Sequence, residues 1–245
     1  MGNVNINIIP AGLNRNSTDT DKWAGLCVEV DALPTAGGGW TAGEVKQINR
    51  IEDLEDYGIS ADSANDLHKL VFWHASEVFR LSPDSILWVQ LVLEAATNTT
   101  IFNAFNQAND NLRMFALVRE SVDLEVASIT ALNTALETLS DAVQPARCIV
   151  NYKFATSLPN ASTANSNRVM VGVGEDTTEG GIAATIKAAE GISGDAGTLL
   201  GATLARKVHQ KPSWQQHPVS GGGRWNKIGL IDASSAEGLL SLIHI

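Results

Sequence analysis

The 245-residue chain sets 17 Lys and Arg against 27 Asp and Glu, a formal net charge of −10 with a pI near 4.9. Phosphate backbones are bound by a basic stripe, and none is visible, so the balance argues against a primary nucleic-acid role and leaves an acidic, soluble surface. With 44% apolar and 18% charged residues, the profile is that of a globular protein, large enough for one α/β domain or two small ones.

No run approaches the roughly 18 apolar residues of a membrane span, and no charged n-region precedes an apolar stretch at the start, so the chain reads as cytosolic when made. The glycosylation-like triplets at Asn16, Asn98 and Asn160 are then coincidences. Cys27 and Cys148 lie inside apolar strand-like runs, where they pack as small hydrophobes and fit a reducing compartment.

In chain order, "NVNINIIP" alternates polar and apolar side chains and places Val4, Ile6 and Ile8 on one face of a strand. "GLCVEV" repeats the habit at 25–30, "PTAGGGW" breaks it with three glycines, and "EVKQINRI" resumes as a strand. "IEDLEDYGI" predicts a short helical turn closed by Gly58 in a left-handed conformation. From about Asn65 to Phe79, Leu67, Leu70, Val71, Ala75, Val78 and Phe79 keep the spacing of one buried helix face.

"SPDS" stops that helix, and "ILWVQLVL" is an unbroken apolar run, as in a central strand covered on both sides. A helix around Ile101–Ala108, the strand "MFALVR", a long helix carrying Leu124, Ile129, Leu132, Leu136 and Leu139, and the strand "RCIVNYK" continue the alternation. After "SLPNASTANSN" come the strand "VMVGV", small-residue helices over 182–190 and 194–208, and the strand "KIGLID". This order predicts an α/β fold: a largely parallel or mixed sheet with helices on both faces, and an antiparallel strand or two from the N-terminal segment.

Motifs that would carry chemistry fail in detail. "VMVGVGEDTTEGGIAATIKAAE" runs strand, glycines, helix, but Gly172, Gly174, Gly180 and Gly181 lack dinucleotide spacing. No Lys-Ser or Lys-Thr pair completes a P-loop, and Glu175, Asp176 and Glu179 would repel phosphate. Ser220 in "PVSGGGRW" has no nucleophile-elbow order, and His68 and His74, six apart on one helix, point to different faces. His209 and His217 flank Trp214 without a nearby cysteine or carboxylate, and Asp53 and Asp56 fall on an exposed helical face.

No catalytic residue, cofactor or metal is therefore expected, and the chain reads as a non-enzyme. The rival expectation is an α/β enzyme or nucleotide- or small-ligand-binding domain with its site near 172–181. Trp23, Trp40, Trp214 and Trp225 stand beside small loop residues, where they either anchor contacts between chains or cap the edge of their own core.

The series "NINIIPAGLNR", "RIEDLEDYGIS", "LHKLVFWHASEVFRLSP" and "ILWVQLVL" resembles the contractile phage tail sheath proteins, in a branch found in phages and prophages of Bacteroidetes-type bacteria. Leu54, Tyr57, Gly58, Ile59, Glu77, Phe79, Arg80, Pro83, Leu87 and Trp88 occupy the family's motif positions. The likeness is strongest over 45–95 and collinear to about 235.

It implies strands and loops over 1–44 and an α/β sheath core over 45–239, incomplete at its C-terminal part. "LSLIHI" at 240–245 is similar to the translated end of a transposon used for sequencing libraries, which implies a metagenomic reading frame cut short. The implied function is a virion structural subunit that polymerises helically with its own kind around the tail tube and contracts to drive the tube through the host envelope. Neighbouring subunits would share strands through extended arms. Implied partners are the tube, baseplate and tail terminator proteins, with no direct nucleic-acid contact and no membrane insertion. The implied location is the virion tail, assembled in the bacterial cytoplasm.

Overall fold

The computed structural model describes residues 22–142, 146–153, 166, 168–172 and 195–205. "NVNINIIP", the expected 182–190 helix, "KIGLID", Trp214, Trp225, and 240–245 lie outside these residues.

The strands are β1 (Trp23–Glu29), β2 (Val45–Ile48), β3 (Ile86–Val92), β4 (Met114–Asp123), β5 (Arg147–Lys153) and β6 (Val169–Val171). The helices are α1 (Asp66–Leu81), α2 (Asn98–Ala108), α3 (Val126–Ala142) and α4 (Ala196–Leu204), with a 3₁₀ segment at Ile51–Tyr57. One sheet runs β2-β3-β1-β4-β5-β6, parallel throughout except for β2, which pairs antiparallel with β3. The fold is α/β with a mixed sheet, as the alternation of elements predicts. "EVKQINRI" yields only four strand residues, because Ile51 already opens the 3₁₀ segment.

Period-two alternation sorts the side chains of the sheet between two cores. Ala24, Leu26 and Val28 of β1, Leu87, Val89 and Leu91 of β3, and Met114, Ala116 and Val118 of β4 face α1 and α4. Cys27, Trp88, Phe115, Leu117 and Val150 face α2 and α3. At Gly25 the missing side chain is a packing requirement, since a Cβ there would stand 2.6 Å from the Phe115 ring.

From β1 the chain reaches β3 with α1 on one face, and from β3 it crosses β1 to reach β4 with α2 on the other. Moving in opposite directions on opposite faces keeps the crossovers one-handed. The strand order therefore reverses between the carboxyl ends of β1 and β4, the place where open α/β sheets form a crevice.

The 3₁₀ segment and the loop before it form a locked corner. Asp53 accepts from the Asn49 and Arg50 amides and from Arg50 Nε, so this carboxylate of the helical face caps the segment. Leu54 and Ile59 are fully buried, and the Gly38 amide donates to the Asp56 carbonyl at 2.8 Å. Gly58 ends the segment at φ +81, with the Ala36 carbonyl oxygen 2.8 Å from where a Cβ would be.

Asn65 begins α1, its side chain accepting from the Leu67 and His68 amides and donating to Asp31 just beyond β1. The helix start is thereby fastened to the sheet end.

Gly58→Ala is expected to cost about 1–3 kcal/mol for the left-handed backbone, plus the overlap with Ala36. Gly43→Ala, at φ +78 with open space around it, should show the backbone part alone. Urea unfolding of both variants measures the difference, and equal losses would mean the Ala36 contact is unimportant.

Candidate functional site

Each strand flanking the reversal ends its apolar run in a charge: Glu29 in "LCVEV" and Arg119 in "ALVRE". They meet inside the protein. Arg119 Nε donates to Glu29 Oε2 at 2.7 Å, with the two side chains 6% and 3% exposed. Ser121 completes the carboxylate's shell, its amide donating to Oε1 at 2.8 Å and its hydroxyl to Oε2 at 2.7 Å. Arg119 Nη2 donates to the Glu94 carbonyl at 2.8 Å, binding the end of β3 into the same cluster. Removing these charges from water is costly, and the four hydrogen bonds supply the compensation that makes the pair tolerable.

Beside the pair lies a cavity of about 390 Å³ lined by Thr97, Asn98 and Thr99 at the head of α2, by Arg119, and by small residues of α3 including Thr134, Ala135 and Thr138. Thr97 caps α2, accepting from the Thr100 amide. Thr134 and Thr138 donate to carbonyls one turn earlier on α3. The walls thus offer hydroxyls, an amide side chain and one paired guanidinium, a set suited to hydrogen-bonding a small polar molecule. Among the described residues no three His, Cys, Asp or Glu side chains converge as a metal cage.

Cys27 and Cys148 are buried, and burial raises both thiols well above their usual range, so neither supplies a thiolate at neutral pH. Burial also raises the Tyr152 phenol.

The residues that carry the resemblance noted in the sequence lie elsewhere, in three groups. Leu54, Tyr57, Gly58 and Ile59 form the corner, where the Tyr57 ring meets Trp40 edge-on at 5.7 Å and Lys46 Nζ stands 4.3 Å above it. Glu77 and Arg80 pair on α1, and Thr198 of α4 donates to Glu77 Oε2 at 3.0 Å; Phe79 packs beneath and Pro83 sits in the turn that follows. Leu87 faces the α1 side of the sheet, whereas Trp88 lies on the α2 side against Trp23, ring centroids 5.3 Å apart.

Trp40 is 5% exposed and donates to the Glu44 carbonyl, so of the two readings of the loop tryptophans the core-capping one holds for it. His68 and His74 serve different partners, as their spacing predicts: His68 Nε2 donates to the Ala32 carbonyl, and His74 Nδ1 accepts from the Gly197 amide.

Of the rival site at 172–181, only Gly172 falls within the described residues. Its carbonyl accepts from Asn151 Nδ2 at 2.7 Å. The crevice beside Arg119 and the pairing of Arg119 with Glu29 were not anticipated from the sequence, although a lone acid and a lone base closing two buried runs were a readable sign of pairing.

Compared with known proteins, the chain matches no family model and no curated protein. Among the described residues no helix is long and apolar enough to cross a membrane.

Arg119→Met leaves Glu29 buried without its countercharge and should cost about 3–5 kcal/mol. Adding Glu29→Gln should recover part of that loss. A double-mutant cycle by urea unfolding measures the coupling, and strictly additive losses would contradict the pairing described.

Proposed function

We propose that the chain is a structural subunit of a contractile tail sheath, which polymerises around a tail tube and shortens to drive it through a cell envelope. The observation that carries the reading is how the motif positions are used. Leu54, Tyr57, Gly58 and Ile59 lock a corner, Glu77 joins α1 to α4 while Arg80 holds Glu77, Phe79 and Leu87 fill one core and Trp88 the other. Every one of these roles is architectural, exposed Pro83 shapes the turn after α1, and a motif spent on architecture suits a building block.

A block of this kind works through its surface. Glu52, Glu55 and Asp56 leave the 3₁₀ segment exposed to solvent and give that corner a negative rim for contacts between subunits. Subunits repeated by a heterologous contact that does not close form a helical tube. Contraction then draws on packing energy between blocks, with no nucleotide needed.

The full-length protein is expected to form tubes of uniform diameter by negative-stain electron microscopy. A strictly monomeric product by sedimentation, under conditions that assemble other sheaths, would overturn the proposal.

A second reading is favoured by the crevice: a domain that binds a small polar ligand, such as the hydroxyl-rich part of a nucleotide, beside Arg119 at the strand-order reversal. It predicts a rise in melting temperature with a nucleotide. An unchanged melt across nucleotides, phosphate and divalent metals would eliminate that reading.

A further inference from the structure

The nine-residue helix α4 is too short to persist in water alone, so its structure depends on its docking. It approaches α1 through a glycine seam: a Cβ at Gly197 would overlap the backbone of His74, and one at Gly201 would come 2.8 Å from the Val78 Cα. Its leading amides are capped by other elements. The Ala196 amide donates to Asn151 Oδ1 of β5 at 2.7 Å, and the Gly197 amide donates to His74 Nδ1 of α1 at 3.2 Å.

The second cap works in only one protonation state. To accept, Nδ1 must be bare, which puts the ring proton on Nε2, an atom with no hydrogen-bond partner among the described residues. The ring is fully buried, and a proton on Nδ1 would set N–H against N–H at the positive end of a helix.

We propose that α4 is an acid-released element, docked on α1 and β5 while His74 is neutral and set free as a unit when His74 takes up a proton. The inference does not depend on the sheath reading.

The groups around the junction give a charged ring little relief. On α1, Glu77 is engaged by Arg80 and Thr198, and the Trp73 ring lies 4.8 Å from the imidazole. β5 presents the uncharged Asn151, and β1, β4 and β6 present Leu26, Val28, Ala116, Val118 and Met170 to this core. Asp195, at the head of α4, is the acidic group that α4 itself brings. Burial lowers the His74 pKa from 6.5 to about 3.

Undocking returns the ring to water, where its pKa is about 6.5. The folded value lies below the unfolded one, so the stabilisation is complete above about pH 6.5 and is lost as the pH falls toward about 3, the opening constant rising about tenfold per unit.

Amide hydrogen exchange, corrected for the intrinsic pH dependence and read by mass spectrometry on the intact chain, tests this. From about pH 7.5 to about pH 4.5, protection over 196–205 should fall about a hundredfold relative to β4. His74→Asn offers an acceptor oxygen that does not titrate and should flatten the slope, whereas Glu77→Gln should leave it in place. Equal loss of protection in α4 and β4 in the wild-type chain would overturn the proposal without recourse to any variant. A slope that survives His74→Asn, or disappears in Glu77→Gln, would also overturn it.

Discussion

β1 is paired along both edges, by β3 and β4, and covered on both faces, so among its seven residues only the last can carry a charge at acceptable cost. Glu29 takes that place and dictates what stands beside it. Strand β4 must bring a base to the same level, β3 must end with its Glu94 carbonyl within reach, and Ser121 must turn both its amide and its hydroxyl inward. The reversal of strand order is thus fastened by one carboxylate. Breaking any of these bonds would leave a buried charge with less compensation than it needs, so the three strand ends are held in register together.

The parts of this arrangement that follow from local pattern were readable in the sequence. Period two in "GLCVEV" and the unbroken run "ILWVQLVL" led to strands in the sheet interior, and the three-and-four spacing of Leu67, Leu70, Val71, Ala75 and Val78 led to α1. Gly58 was readable because few other residues close a helical turn in a left-handed conformation. What escaped was of two kinds. "EVKQINRI" ends early as a strand for a local reason, Asp53 folding back to cap the Asn49 and Arg50 amides, which strand periodicity does not register. Nor could spacing show that Glu29 and Arg119, 90 residues apart, share one site. Pairing across a sheet is set by topology, and a single sequence supplies only the ends that need partners.

The two faces of the sheet differ in how they are filled. On the α2 side aromatic rings do the packing: Phe102 and Phe105 close on Phe115 with centroids 5.2 and 5.4 Å apart, and Gly25 makes the room. On the α1 side aliphatic chains fill the sheet surface, and glycine instead lets α4 come close to α1. A glycine seam gives tight contact with few side-chain atoms to hold it. Leu199, Leu200 and Leu204 bury α4's apolar side in this core, and the polar bonds at His74, Asn151 and Glu77 fix how the helix sits on α1 and β5.

That contrast bears on how a subunit of this shape would take part in contraction. A packed core does not deform continuously; it keeps one arrangement or moves to another discrete one. The corner at 50–59, α1 and the five parallel strands are joined by buried chains and by the Glu29 cluster into one packed body. A shortening sheath built from such bodies cannot store its strain within them. On the proposed reading the strain would lie in the contacts and connecting segments between subunits, where exposed charges such as Glu52, Glu55 and Asp56 would re-pair at small cost. A motif whose residues hold a block rigid serves that division of labour, because force applied at one contact then reaches the next without being absorbed in between.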